Sequence, residues 1–451
     1  MKRRIGLCRL TSQAWLAAGL LVLLAGCTGA PTDLSDSPST FNWRQFQGTT
    51  LRVLLVQSHW QQVIVKYLPE FEELTGIRLQ AEILSQEKLW NTLETDLKVS
   101  GSVDAFSVVP ALDAVRLKRT DRIQSVNAYL ADRALTAPKY SWDDFLPKFR
   151  AAMEVEGVLV GPPVMVEHLA LLYRKDLFKE HQIAVPRTLD ELEAAARFLH
   201  RKPMGSQGAP GVGVVSRGQG PALNGIYAGL LHAMGGTWLD ERHRSTLASP
   251  QSIAALEWLR RVLGQYAPSD VERYGWQEAS ALFLDGRAAM YLEGSSIYPL
   301  IEESSSSRVA DKVGYALFPS GPAGSGATVA VRGLAIAKQS KHPEAAWLFL
   351  QWASGPTMVR KALMHGVLVA RESTWQDKVA RSEVPVDLAQ SLQEAGRIGT
   401  PTWAPPLVAV TSAREAVGQA ITAAVRGENI RVAANAASRR MTDIMAATER
   451  R

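Results

Sequence analysis

The stretch TLRVLLVQSHWQQVIVKYLPEFEELTGIRLQAEIL, residues 50–84, decides the fold class of this chain. It opens with an apolar run at 50–57, of the kind that is buried in a parallel sheet. Residues 60–76 then carry apolar side chains at helical spacing, and residues 77–84 have the pattern of a second strand. A strand, a helix and another strand in this order predict a parallel β-α-β unit.

The same alternation continues along the chain. Residues 87–101 predict a second helix and residues 103–109 a third strand, and helices dominate the remainder. The sequence therefore predicts a doubly wound α/β fold, and a chain of 451 residues is long enough for two domains. Ligands of such sheets bind beyond the carboxyl ends of the strands. This rule points to His59 and Trp60, which follow the first strand, and to Asp104 in the third.

The N-terminus has the pattern of an export signal. Basic residues at 2–4 precede an apolar run at 14–25, which is too short to span a membrane. The run leads through Leu-Ala-Gly into Cys27 and resembles a bacterial lipobox. We therefore expect residues 1–27 to be a lipoprotein signal with Cys27 as the lipidation site, and residues 28–47 to be a flexible tether. The expected product is an exported, membrane-anchored lipoprotein that faces the periplasm or the cell exterior.

The charge and the cysteine content bear on nucleic-acid binding and on disulfide formation. The formal net charge is +6, part of which belongs to the predicted signal, and no run of Lys or Arg predicts nucleic-acid binding. The chain has two cysteines, Cys8 within the predicted signal and Cys27 at the lipidation site. We therefore expect a mature protein without a disulfide, whose fold depends on core burial.

Five segments, in order, carry a resemblance to a known family. The chain resembles the extracellular solute-binding proteins of family 1, the maltose-binding-protein-like receptors of ABC importers. Three positions depart from the family pattern: Arg174 replaces the usual Asn, Leu189 the usual Trp, and Ser296-Ile297 the usual aromatic residue after Gly-Ser. The segments are EGVLVGPPVMVEHLALLYRKDLFKEHQIAVPRTLDELEAAARFL (156–199), AMGGTWLD (233–240), TLASPQSIAALEWLRRVL (246–263), ALFLDGRAAMYLEGSS (281–296) and RGLAIAKQSKHPEAAWLFLQWASGP (332–356).

The resemblance implies two α/β lobes with a ligand cleft between them, joined by crossing hinge segments, and no catalysis. By family analogy, lobe one takes residues 48–159 and 316–366, and lobe two takes residues 160–315 and 367–451. The hinge is expected at Gly161, Pro162 and Pro319. The implied partners are a small-molecule solute, most naturally a carbohydrate, and ABC permease subunits, with a lipid anchor in the membrane and a monomeric receptor.

Candidate ligand contacts follow from residue type and position. Carbohydrate sites combine aromatic faces with charged or amide groups that bind hydroxyls. Trp60, Trp276 and Trp403 stand in or beside turn-like segments, although packing at a lobe edge explains them equally, and Arg332 could pair with an anion. Ser295 is also expected to cap the following helix. The full set is His59, Trp60, Asp104, Glu167, His168, Trp276, Glu293, Ser295, Ser296, Tyr298, Arg332 and Trp403.

Other function classes remain open from the sequence. No metal site and no cofactor are expected, because the histidines are scattered and neither HExxH nor a P-loop is present. The same fold could bind a non-sugar solute, such as a sugar phosphate or a polyamine, or report its ligand to a sensor kinase. An exported serine hydrolase with Ser295 or Ser296 as nucleophile is disfavoured, since Glu-Gly-Ser-Ser-Ile is not G-x-S-x-G.

Overall fold

The computed structural model describes residues 41–204 and 208–449. Within these residues the chain forms twelve strands, most of them short. They are β1 (Thr50–Val56), β2 (Arg78–Leu84), β3 (Ala105–Val108), β4 (Glu154–Val155), β5 (Val158–Leu159), β6 (Pro163–Arg174), β7 (Pro203–Met204), β8 (Ala209–Pro210), β9 (Val215–Ser216), β10 (Met290–Gly294), β11 (Val313–Leu317) and β12 (Val329–Ile336).

Helices make up most of the remainder. No helix of the described residues is both long and apolar enough to cross a membrane. They are α1 (His59–Ile64), α2 (Leu68–Thr75), α3 (Gln86–Val99), α4 (Pro110–Arg119), α5 (Asn127–Ala131), α6 (Pro147–Ala151), α7 (Lys175–Glu180), α8 (Leu189–Leu199), α9 (Asn224–Ala233), α10 (Pro250–Tyr266), α11 (Trp276–Leu284), α12 (Tyr298–Glu302), α13 (Pro343–Ala353), α14 (Pro356–Met364), α15 (Glu372–Gln376), α16 (Val386–Ile398), α17 (Val410–Val425) and α18 (Ile430–Thr448).

The opening strands form the predicted doubly wound start. β1 pairs in parallel with β2 on one side and with β3 on the other. The predicted helix at 60–76 is interrupted, because α1 and α2 are separated by the 3₁₀ turn Val65–Tyr67. Pro69, at the start of α2, has no N–H to donate to the preceding turn, which explains the break. α2 ends, as predicted, at Gly76 in the left-handed conformation.

The long strand β6 joins two sections of the sheet. Its first half pairs antiparallel with β12, which in turn pairs with β3. Its second half pairs antiparallel with β10 and β11. The change of partners falls between His168 and Leu169, inside β6, whereas the sequence placed the lobe boundary between residues 159 and 160. The crossing point of the two sections is thus made of strand residues and not of loops.

Two hydrophobic cores lie on this framework. The first packs β1, β3 and β12 against α13 and α14. The second packs α8, α9, α10, α17 and α18. Val367, Leu368 and Leu388 belong to the first core, although the sequence assigned residues 367–451 to lobe two. This segment also contacts α6 through α16, and the lobe boundaries remain a prediction.

The predicted tether is shorter than expected. Residues 41–47 pack on the body, where Phe41, Trp43 and Phe46 contact the first core. The side chain of Gln45 also donates to the carbonyl of Ala134 at 3.0 Å. The three aromatic side chains explain the difference, since apolar rings favour burial over a solvated linker. The signal, the first part of the tether and Cys27 lie outside the described residues.

The predicted hinge residues lie at strand ends. Gly161 and Pro162 immediately precede β6, and the carbonyl of Pro162 accepts from the amide of Leu334 at 3.2 Å. A Cβ on Gly161 would lie 1.9 Å from the Leu334 carbonyl oxygen, so only glycine fits this crossing. Pro319 follows β11 and is buried. Their role as a hinge remains a prediction.

Candidate functional site

A cavity of about 470 Å³ opens where β6 changes its partners. Glu167 and His168 of β6 and Arg332 of β12 form one wall, and Glu293 and Gly294 at the end of β10 form another. Further wall residues are Gln57, Gln86, Arg217, Thr328, Trp403 and Arg414. Its position, beyond β1 and between the two sheet sections, is the one expected for a ligand site of an α/β fold.

Glu293 is a buried carboxylate whose charge is paired. Its two oxygens accept from Nε and Nη2 of Arg217, both at 2.6 Å. The Tyr291 hydroxyl and the amide of Gly294 donate to it as well, at 3.1 and 2.8 Å. Burial lowers the pKa of Arg217, but the Glu293 carboxylate outweighs burial and leaves that pKa raised. The pair is therefore a fixed, ionised wall element.

The position of the Glu167 carboxylate depends on the small size of Gly294, which lies opposite it. A Cβ on Gly294 would lie 2.5 Å from Oε2 of Glu167, so a larger residue would require this carboxylate to move. The hydroxyl of Ser296 donates to the same oxygen. Close approach at Gly294 therefore accommodates the protein's own Glu167.

His168 is fully buried and neutral. Its side chain is 0% exposed, and burial lowers its pKa to about 3. Neither ring nitrogen has a hydrogen-bond partner within the described residues. Its backbone amide donates to the Ser295 hydroxyl at 3.1 Å. A neutral imidazole has one donor and one acceptor, and neither is engaged within the described residues.

Two more arginines face the cavity. Arg332 stands at a register shift between Arg332 and Gly333 in β12, and such irregularities re-aim side chains. Its guanidinium has no hydrogen-bond or ion-pair partner among the residues that the structure describes. Arg414 of α17 donates to the carbonyl of Pro221 at 2.9 Å and stands 5.5 Å from the ring of Trp403. Burial, helped by the nearby Arg217, lowers the Arg414 pKa.

Five of the predicted contacts come together in this cavity: Glu167, His168, Glu293, Arg332 and Trp403. Asp104 does not, because it precedes β3 and so lies at the opposite end of the strand. Its oxygens accept from the amide of Arg52 at 2.9 Å and from the hydroxyl of Ser340 at 2.6 Å. These bonds hold the first sheet section together, and we no longer assign Asp104 to the ligand.

The other predicted aromatic and histidine contacts lie elsewhere. Trp60 is buried in the first core and borders only a small side pocket beside Arg332. His59 begins α1 and lies beside Gly366. Trp276 is 44% exposed at the start of α11. Tyr298 is buried in the first core.

Ser295 and Ser296 form hydrogen bonds with His168 and Glu167 of the cavity wall. Ser295 is 0% exposed, and its hydroxyl accepts from the amide of His168. It makes no cap, since neither α12 nor the 3₁₀ turn Ser295–Ile297 has a side-chain cap bond. The predicted capping role of Ser295 is therefore wrong. Ser296 orients Glu167 instead of facing the cavity.

Arg217 and Arg414 were missed from the sequence. Arg217 stands in a Gly-rich loop and pairs with a residue 76 positions away, a distance that local pattern does not reveal. Arg414 lies in an Ala-rich helix, where its position resembles that of any solvated arginine. Only the packing of α17 against the 3₁₀ turn Gly220–Leu223 brings it to the cavity.

Residues 58–359 match the family model described as bacterial extracellular solute-binding protein. The chain belongs to this family. The family places its members outside the cytoplasm, and this solute-binding protein is accordingly an exported receptor by class. The resemblance noted in the sequence is thereby confirmed.

Curated relatives share part of the sequence. The solute-binding protein is 29% identical over 288 residues to the mannitol-binding protein of Pseudomonas aeruginosa, a match covering 63% of this chain and 64% of that relative. It is 25% identical over 381 residues to the erythritol/L-threitol-binding protein of Mycolicibacterium smegmatis, with 78% of each chain covered.

Solved structures confirm the two-lobed fold. A solute-binding protein of Agrobacterium radiobacter K84 in complex with ribitol superposes with a TM-score of 0.75, at 22% identity, covering 89% of this chain and 99% of that one. One of Agrobacterium vitis S4 with bound D-mannitol gives a TM-score of 0.71 at 21% identity, covering 88% and 99%. At these identities the likeness concerns the fold.

Proposed function

We propose that this solute-binding protein is the receptor of an ABC importer for a small polyhydroxylated solute, a polyol or a sugar of similar size. The observation that carries the proposal is the cavity at the β6 crossing, where paired and unpaired polar groups converge. Relatives and structural neighbours bind mannitol, erythritol or threitol, and ribitol. Trp403 is the one aromatic side chain among the described cavity residues, which favours a small ligand over a stacked oligosaccharide.

We further propose that the protein binds its ligand without chemistry. Ser295, the candidate nucleophile, is fully buried and occupied by the His168 amide, and Ser296 donates to Glu167. Within residues 41–204 and 208–449, neither serine has a histidine base within hydrogen-bond reach, which acyl transfer requires. Closure of the two lobes about the Gly161, Pro162 and Pro319 segments would deliver the solute to permease subunits.

Substitution of two tryptophans, one inside and one outside the cavity, tests whether this cavity binds the ligand. Trp403→Ala is expected to weaken polyol binding about tenfold or more, because it removes the one aromatic face in the described cavity wall. Trp276→Ala is the matched control, since Trp276 is exposed outside the cavity, and its Kd should stay within twofold. Titration calorimetry with mannitol, ribitol and erythritol measures both. Normal binding by the Trp403 variant, or loss of binding by the Trp276 variant, contradicts this site.

The lipid anchor at Cys27 is a separate proposal. It rests on the Leu-Ala-Gly-Cys pattern that ends the apolar run. Cys27→Ser should abolish incorporation of labelled fatty acid and move the protein from the membrane to the soluble fraction, while a purified form lacking residues 1–27 binds ligand normally. Unchanged labelling of the variant would disprove the assignment.

A further inference from the structure

Unpartnered polar atoms concentrate around the cavity. The described residues contain nine buried side-chain nitrogen or oxygen atoms without a hydrogen-bond partner, and five of them belong to cavity residues. Native proteins satisfy most buried polar groups, so such a concentration calls for a ligand. The atoms are Gln86 Nε2, His168 Nδ1, His168 Nε2, Trp403 Nε1 and Arg414 Nε.

Donors dominate this set. The amide nitrogen of Gln86, the indole of Trp403 and the guanidinium of Arg414 donate only, whereas neutral His168 supplies one donor and one acceptor. Arg332 adds a guanidinium that has no hydrogen-bond partner in the described chain. Of the two wall carboxylates, Glu293 accepts from Arg217 with both oxygens, and Glu167 accepts from Ser296 with Oε2. The unpartnered buried atoms of the described cavity wall are therefore mostly donors.

The charges of the cavity wall likewise favour a ligand that brings hydrogen-bond acceptors. Three arginines and two glutamates line the cavity, and Glu293 is consumed by Arg217. Asp113, which is buried and accepts from the amide of Val109 at 2.8 Å, interacts electrostatically with Arg332. Burial raises the Asp113 pKa to about 7, so Asp113 is only a partial counter-charge for Arg332 near neutral pH.

A neutral polyol does not match this excess. Each hydroxyl group brings a donor together with its acceptors, whereas a carboxylate or a phosphate brings acceptors only and forms stronger bonds with arginine. We propose that the preferred ligand is a polyhydroxylated anion, a short polyol or sugar carrying one carboxylate or phosphate group, with Arg332 as its counter-ion. This inference rests on the proposed function and names the ligand class of the same cavity.

Pairs of neutral and anionic ligands test whether a negative charge on the ligand increases its affinity. Titration calorimetry on the mature chain compares D-glucitol with D-gluconate and with D-glucitol 6-phosphate, and ribitol with D-ribonate. We expect at least one anion to bind tenfold or more tightly than its neutral counterpart, with an affinity that falls as salt is added. The carboxylate and phosphate arms distinguish the two sources of charge.

Arg332 variants test the counter-ion. Arg332→Gln should reduce the ratio of anion affinity to neutral-polyol affinity about tenfold or more, while Arg332→Lys should retain most of the preference. Arg78→Gln, at the exposed start of β2, is the control for net charge. Thermal melting checks that each variant is folded, which we expect because the Arg332 guanidinium has no hydrogen-bond or ion-pair partner in the described chain.

The outcomes are distinct. Neutral polyols that bind as tightly as the anions overturn the inference and leave the proposed function standing. A preference for anions that survives Arg332→Gln overturns the assignment of the counter-ion. If neither neutral nor anionic polyhydroxylated compounds bind, the proposed function falls and this inference with it.

Discussion

Asp113 is the most perturbed carboxyl group near the cavity. It is 3% exposed, and burial raises its pKa from 3.8 to about 7, against the opposing effects of the Val109 amide and of Arg116 and Arg332. The folded state therefore holds a proton at Asp113 more tightly than the unfolded chain does. Stability from this group is fully present below pH 3.8 and is lost as the pH rises toward 7.

Asp113→Asn should consequently stabilise the protein at alkaline pH. The amide keeps an acceptor for the Val109 N–H and carries no charge to desolvate. We expect a gain of about 2–4 kcal/mol at pH 8, since one pKa unit corresponds to about 1.4 kcal/mol, and a gain near zero at pH 4. Denaturant unfolding at both pH values measures it. Asp143→Asn, on a 97% exposed side chain, is the control, and equal gains at the two pH values would contradict the argument.

At the scale of single residues, the sequence identified part of the cavity. Glu167 and His168 were predicted because they follow the crossing at Pro162-Pro163, and Arg332 because it precedes Gly333 in a predicted strand. Trp60 and Trp403 looked alike, each beside a turn-like segment, and only packing sends Trp60 into the first core. The end of a strand at which a residue stands also decides its role, which is why Asp104 was misjudged.

At the scale of elements, one contact between two glycines positions a cavity wall. Gly418 of α17 packs on Gly220, which begins the 3₁₀ turn Gly220–Leu223. A Cβ on Gly418 would lie 2.5 Å from the nitrogen of Pro221, and one on Gly220 would lie 2.2 Å from the Gly418 carbonyl oxygen. Arg414 stands one turn before Gly418 on the same helix face, so this contact sets its position.

Gly418→Ala should therefore both destabilise the fold and weaken binding. The added methyl group meets backbone that has no space to yield, and we expect a loss of about 1–3 kcal/mol. Gly264→Ala in α10 is the matched control, because its Cβ would meet only the Val425 carbonyl oxygen at 3.5 Å. That change should stabilise by about 0.5–1 kcal/mol. Thermal melts and ligand titrations decide, and a Gly418 variant as stable as the parent refutes the contact.

Local signals predicted the elements better than their pairing. The capping box at Thr188 and Glu191 is present, with Glu191 accepting from the amide of Thr188 at 3.2 Å. Strand β1 and the stop at Gly76 are likewise as predicted. The division of β6 between two sheet sections was not predicted, because it depends on β12 and β10, which lie more than a hundred residues further along the chain.

At the scale of the whole molecule, an ion pair links elements of different cores. Arg119, at the end of α4, pairs with Glu156 at 2.7 Å and also with Glu449 beyond α18. Glu449 additionally accepts from the amide of Val408 at 2.8 Å. α4 contacts β12 of the first core, and α18 contacts α17 of the second, so Arg119 connects the two.

Arg119→Ala should favour the open form of the receptor. The pair is partly solvated, so its contribution is at most about 1 kcal/mol, which corresponds to a rise in ligand Kd of up to about fivefold. Lys118→Ala is the control, because Lys118 pairs with Glu156 at 3.2 Å and has no ion pair with Glu449 in the described residues. Calorimetric titration and small-angle scattering measure the two effects. An unchanged Kd and radius of gyration for the Arg119 variant would show that the link is incidental.

The alternation of side chains along β6 limits the insertions and deletions that the chain tolerates in this strand. Val164, Val166 and Leu172 point into the first core, whereas Leu169 and Leu171 point into the second. Neighbouring side chains of a strand alternate between faces, so removal of a single residue from β6 would reverse the direction of every side chain beyond the gap. Both cores would then receive the wrong side chains at once. Within β6 itself, changes of ligand preference must therefore come from substitution and not from insertion or deletion.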